Sequence, residues 1–220
     1  MTHFEKIAAE LKNRGLDAML VTSAPGEFYA MGFHGEGVAF ITPGRTWYYT
    51  DSRYIEAAQN LITGAEVSMP PKGMDYRKLA AQLVQDNHVS KLGFEEQYMS
   101  VVDYNQWTKA VEAEFVPASE LLTQLRQVKD ADELAAMREA QRITDEALLE
   151  ILNFIRPGLT ESEVAARLTY IMARKGAERN SFDPIVACGP NGSKPHAVPG
   201  PDVIQKGQFV TMDFGCVVGG

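Results

Sequence analysis

Two side chains in this sequence are placed to do chemistry, His196 and Asp213. His196 lies in the run 181–199 (SFDPIVACGPNGSKPHAVP), whose second half is rich in turn-forming residues, and Pro195 and Pro199 bracket it. Proline fixes its own φ and restricts the residue before it, so this setting can hold an imidazole at a fixed angle in a surface loop. An imidazole held that way can donate a hydrogen bond or shuttle a proton near neutral pH. A loop histidine satisfied by the backbone would have the same local sequence, and both readings stand at this level. Asp213 follows in 207–216 (GQFVTMDFGC). Period-two alternation sets Phe209, Thr211 and Asp213 on one face and Val210, Met212 and Phe214 on the other. A carboxylate in an otherwise apolar strand is costly unless it is paired, hydrogen-bonded or bound to metal. The competing reading is a strand-edge aspartate facing water. One aspartate does not define a metal site, which takes several ligands. His3, His34 and His88 lack a credible array of partner ligands and read as solvent-facing or structural.

The elements that must carry these residues are legible in outline. Phe4, Ile7, Ala8 and Leu11 recur at helical spacing, and Arg14-Gly15 supplies a stop. A strand is expected at 17–22, a turn at 23–26, and a hairpin of 37–42 and 46–50 around Pro43-Gly44. Phe40, Trp47, Tyr48 and Tyr49 make that hairpin aromatic, as core packing requires; a ligand surface is the alternative. Helices are expected at 51–61 and 75–86 and around Tyr104 and Trp107, with strands at 66–69, 91–95 and 114–116. This alternation is that of an α/β domain. Asp51 and Arg53 are placed to pair with each other or to support an oligomer surface.

The rhythm changes near residue 120, which puts a domain boundary close to 118–130. Asp130 and Glu133 form a variant capping box, and an apolar stripe runs from Leu134 to Ile155 before Pro157-Gly158 breaks the helix. Residues 160–163 (TESE) are a second capping box, and Val164, Leu168, Ile171 and Met172 give the next helix a buried face that Gly176 can end.

Composition narrows the classes of function. The formal net charge of −8 argues against a nucleic-acid partner, since phosphate binding draws on clustered Lys and Arg. No stretch approaches the roughly 20 apolar residues of a membrane span, and residues 1–6 (MTHFEK) lack the apolar core of a secretory signal. Cys188 and Cys216 are too few for a disulfide scaffold and read as reduced thiols, consistent with a cytoplasmic protein.

Taken together, 183–187 (DPIVA), 189–193 (GPNGS), 195–199 (PHAVP) and 212–215 (MDFG) resemble the creatinase/prolidase group of pita-bread proteins, within it the bacterial Xaa-Pro dipeptidases and aminopeptidases P. Residues 125–129 (LRQVK), 133–134 (EL) and 137–140 (MREA) resemble the start of that family's catalytic domain, and 51–54 (DSRY) a motif of its N-terminal domain. The likeness spans essentially the whole chain.

It implies an α/β N-terminal domain at 1–125 followed by the first part of an α+β pita-bread metallopeptidase domain at 126–220. It also implies two divalent ions, Mn2+, Co2+ or Zn2+, held by two Asp, one His and two Glu. Asp213 matches the first ligand. His196 matches the family histidine that meets the substrate and stabilises the reacting carbonyl, and is not itself a ligand. The implied reaction is hydrolysis of the bond before proline in a proline-containing peptide substrate by a cytoplasmic homodimer. Paired ions serve such a reaction by activating water and polarising the carbonyl.

The other four ligands have no counterpart in the 220 residues. The chain is therefore expected to be inactive alone, with a complementing C-terminal segment as a partner. A non-catalytic scaffold and a creatinase-like amidinohydrolase, the latter metal-independent, are the alternatives; the MDFG pattern favours the metallopeptidase branch.

Overall fold

A computed structural model describes all 220 residues, Met1–Gly220. The chain divides into two compact units, Met1–Val128 and Lys129–Gly220. No helix is long and apolar enough to cross a membrane.

The first unit is a six-stranded mixed sheet. In chain order its strands are β1 (Ala18–Val21), β2 (Val38–Ile41), β3 (Thr46–Tyr49), β4 (Glu66–Ser68), β5 (Lys91–Phe94) and β6 (Glu114–Pro117). In space they run β4-β3-β2-β1-β5-β6; the β1–β2 and β2–β3 pairs are antiparallel and the others parallel. Every residue of β1 and β2 is buried, the signature of strands covered on both faces. Alternation deals their side chains to two cores. Met19, Val21, Ala39 and Ile41 pack with Phe4, Ile7 and Leu11 of α1 (His3–Leu11), and with Leu121 and Leu122 of α6 (Ser119–Gln127). Ala18, Leu20, Val38 and Phe40 pack with Leu83 and Val84 of α4 (Tyr76–Asp86) and Trp107 of α5 (Val101–Ala110).

The turn expected at 23–26 is instead the start of α2 (Ala24–Met31). The Ser23 hydroxyl accepts the Gly26 N–H and Pro25 occupies the first turn, where its missing N–H costs nothing. Within α2, Glu27 is buried and accepts hydrogen bonds from the Gly35 and Gly37 amides and the Tyr48 hydroxyl, which ties the helix to the hairpin. The third helix, α3 (Ile55–Leu61), begins four residues later than the sequence suggests, because Asp51 and Arg53 form an exposed turn closed by their own ion pair. The helix α6 was legible only as a change of rhythm.

The second unit is built on α7 (Ala131–Leu152) and α8 (Glu161–Arg174), each opened by its expected capping box. Ile143, Ala147 and Ile151 of α7 pack against Val164, Leu168, Ile171 and Met172 of α8. The helix α7 stops at Leu152, before the Pro157-Gly158 breaker, and Ile155 packs on the core from the connection that follows. Two antiparallel ladders complete the unit: β7 (Arg179–Asn180) with β10 (Cys216–Val217), and β8 (Ile185–Cys188) with β9 (Val210–Asp213).

Leu168 is fully buried at the centre of this core. Leu168→Ala is expected to cost about 2–5 kcal/mol, the transfer and cavity terms together. Denaturant unfolding followed by circular dichroism reads the loss; a shift below ~1 kcal/mol would show that the site collapses around the deletion.

Candidate functional site

The β8–β9 ladder and the loop that joins its strands hold both chemically suggestive residues. In the ladder Ile185 faces Asp213, Val186 faces Met212, Ala187 faces Thr211 and Cys188 faces Val210. Val186 and Cys188 are buried in the core of the second unit, on which Val210, Met212 and Phe214 pack, while Ala187, opposite Thr211, is buried on the other face. Alternation then turns Thr211 and Asp213 away from the core, and Phe209 beside them is 90% exposed. The expected facing of β9 is therefore present, but the expected cost to the carboxylate is not. Asp213 is solvent-exposed: Met212 and Phe214, its neighbours along the strand, pack on the core side, and on its own face the cross-strand partner Ile185 is itself only half-buried. As a hard oxygen donor, Asp213 fits a divalent cation, supplying one residue of a set that needs several.

The loop leaves β8 over the same face. A five-residue 3-10 helix, Gly189–Ser193, follows Cys188, and the Gly189 N–H donates to the Phe209 carbonyl. A Cβ on Gly192 would sit 3.1 Å from the Thr211 hydroxyl, so this segment lies close against the face shared by Thr211 and Asp213. A turn at 194–197 comes next, in which the Ala197 N–H donates to the Lys194 carbonyl at 3.3 Å. Pro195 and His196 occupy its two central positions, where proline presets the φ the first of them requires. Ala197 is buried beneath the turn while His196 is exposed at its tip. The structure brings the loop of His196 and the strand of Asp213 together in one substructure.

A third residue completes the arrangement. Glu161, the first residue of α8, is only 1% exposed. Its carboxylate accepts hydrogen bonds from the Cys188 N–H at 2.7 Å, the Asn191 side-chain amide at 3.0 Å and the Gly200 N–H at 3.0 Å. Burial acts to raise its pKa, yet these donors outweigh burial and hold the group below the usual glutamate range. The Cys188 thiol moves the other way: burial first, and then Glu161, push it up, so it remains a protonated core group. In the sequence Glu161 is marked only by its place inside the 160–163 capping box.

The other candidates resolve as structure. His3 stacks on Tyr29 and contacts its carbonyl through Nδ1, His34 stacks on Phe28, and His88 is an exposed residue just beyond α4. Phe40, Trp47 and Tyr48 are buried as hairpin core. Trp47 and Tyr49 also border a cavity of about 430 Å³ with Met69, Pro71, Leu79 and Leu83. Asp86 and Gln82 reach it too, but it gathers no cluster of catalytic side chains.

Comparison with known proteins bears on both units. Residues 4–128 match the model of the creatinase/prolidase N-terminal domain, and residues 135–220 that of metallopeptidase family M24. An uncharacterized peptidase of Bacillus subtilis, YqhT, is 36% identical over 96% of this chain and 60% of its own length. An Xaa-Pro dipeptidase structure from Bacillus anthracis superposes with a TM-score of 0.92 at 35% identity, over 99% of this chain and 61% of that one. An X-Pro aminopeptidase structure from Thermotoga maritima gives 0.88 at 29% identity, over 100% and 62%. The chain thus spans about three-fifths of the length of these proteins.

The Glu161 clamp has a definite pH signature. A carboxylate whose folded pKa lies below its unfolded value stabilises the fold above the unfolded value, about 4.3 for glutamate, and stops doing so as pH falls through the folded value. Amide exchange at Cys188 and Gly200, normalised to intrinsic rates, should lose protection on acidification in that window, before the core amides of α7 and α8. Protection that persists unchanged down to about pH 2 would contradict the assignment.

Proposed function

This chain belongs to the creatinase/prolidase family, an N-terminal creatinase/prolidase domain running into the start of an M24 pita-bread metallopeptidase domain, and from that membership we propose that the protein is a metal-dependent peptidase cleaving the bond before proline. The observation that carries the reading is local. The loop that displays His196 passes over the strand face that displays Asp213, which supports reading the two as a substrate-binding imidazole and a cation-binding carboxylate carried by one ladder and its connecting loop.

In this reading Asp213 is one ligand of a divalent metal, and the metal supplies Lewis-acid activation of water and carbonyl when bound. His196, at the tip of its turn, donates a hydrogen bond to the carbonyl oxygen of the scissile bond as negative charge develops there. Its exposure leaves it free to meet a peptide, and the proline before it limits how far the backbone can rotate away. Because Asp213 is the one family ligand matched in these residues, we assign turnover to the protein at the full length of its relatives. The 220 residues alone are proposed to be inactive without a complementing C-terminal segment. A homodimer is part of the same proposal, and sedimentation at several concentrations reads it.

The test is hydrolysis of Xaa-Pro dipeptides and longer Xaa-Pro peptides by the protein at the full length of its relatives, with Mn2+, Co2+ or Zn2+ and after chelation. Cleavage before proline that is lost with the metal is expected. Asp213→Ala should abolish metal-supported turnover, and His196→Ala should lower kcat about 10²–10³-fold, as loss of a transition-state hydrogen-bond donor does. Near-normal turnover by Asp213→Ala, metal-independent turnover of creatine, or metal-supported hydrolysis by the isolated 220 residues would each contradict a named part of this proposal.

A further inference from the structure

We propose that Glu161 is the positioning residue for His196, gripping the histidine loop at both ends from the first turn of α8; the inference rests on the reading in which His196 meets the substrate. The placement of Glu161 needs an explanation that helix formation does not supply. The N-terminus of α8 is already capped by the Thr160 hydroxyl and the exposed Glu163 carboxylate, in both directions of the capping box. A further first-turn glutamate could favour the helix dipole from solvent. Glu161 is buried instead, and burying a carboxylate is unfavourable unless its oxygens are well supplied with donors.

All three of its side-chain donors come from the loop and its two ends. Oε1 accepts from Cys188 N–H, where β8 hands over to the loop, and from the Asn191 side-chain amide; Oε2 accepts from Gly200 N–H, four residues beyond His196. Asn191 extends the grip inward. Its side-chain oxygen accepts from the Lys194 ammonium at 2.6 Å, and the Lys194 carbonyl closes the turn that carries His196. The neighbouring Ser162 hydroxyl reinforces the far end by donating to the Pro199 and Gly200 carbonyls. Cys188 also pairs with Val210 in the ladder that ends at Ile185 opposite Asp213. One buried carboxylate therefore fixes the loop of His196 to the strand pair of Asp213, and with it the geometry between the two.

The test compares the wild-type chain with Glu161→Gln and Asn191→Ala by NMR. Glutamine replaces one acceptor oxygen with a donor, so one end of the loop meets N–H against N–H. In Glu161→Gln the amides of Cys188 or Gly200, and that of Ala197 in the histidine turn, should lose protection about tenfold, while Leu168 and Ile151 stay within about twofold. The His196 ring resonances should shift in the same variant. Asn191→Ala removes the inward link together with the Asn191 donor to Glu161 and to Asp202, keeps both backbone donors, and should move the His196 ring signals while leaving Cys188 and Gly200 protected. Ring signals and Ala197 exchange unchanged in both variants would overturn the proposal.

An assay at the relatives' full length separates the two readings. If the wild type cleaves Xaa-Pro peptides, Glu161→Gln should lower kcat by at least about tenfold with a smaller change in KM, and an equal kcat would overturn the positioning role. If the wild type cleaves none, the functional reading fails, and the NMR comparison still decides whether Glu161 governs the histidine turn.

Discussion

The alternation of side chains along β9 is the constraint on which the rest of this site depends. Val210, Met212 and Phe214 are held to the core of the second unit by the same forces that pack α7 on α8. Because a strand sends successive side chains to opposite faces, packing those three against the core turns Thr211 and Asp213 outward. The carboxylate is thus aimed by its apolar neighbours. A one-residue slip in the β8–β9 register would expose the apolar set and bury the acid, which is why the ladder with Val186, Ala187 and Cys188 is decisive for chemistry as well as for stability.

The loop across this ladder shows how a surface segment can be anchored without belonging to a sheet or an α-helix. Between Cys188 and Gly200 the backbone is held by a short 3-10 turn, a proline-led turn and a buried carboxylate that accepts from both ends. Such anchoring suits a residue that must meet a substrate at a set angle, since small displacements of a positioned group cost heavily in rate.

Much of this was legible in the sequence, and the exceptions have physical causes. The period-two pattern of 209–214 predicted the facing of Asp213, and the capping boxes at Asp130 and Thr160 marked the starts of α7 and α8 to the residue. Whether Asp213 would be enclosed or face water was open in the sequence, and it stands exposed, because sequence shows which residues share a strand but not whether its second face is covered. Ser23-Ala-Pro-Gly26 has the composition of a turn and also that of a helix start; tertiary packing of Tyr29, Ala30 and Met31 on the sheet decides for the helix. Glu161 was the least legible. In a first helical turn an acid is ordinary, and nothing local separates Glu163, which caps in solvent, from Glu161, whose donors lie 27 to 39 residues away.

Zinc-edge anomalous diffraction from crystals of the protein at the full length of its relatives tests the central claim most directly. The account predicts an anomalous peak at about 2.0–2.2 Å, the usual Zn–O distance, from a carboxylate oxygen of Asp213. Zinc bound elsewhere, with Asp213 left facing water and unliganded, would contradict it.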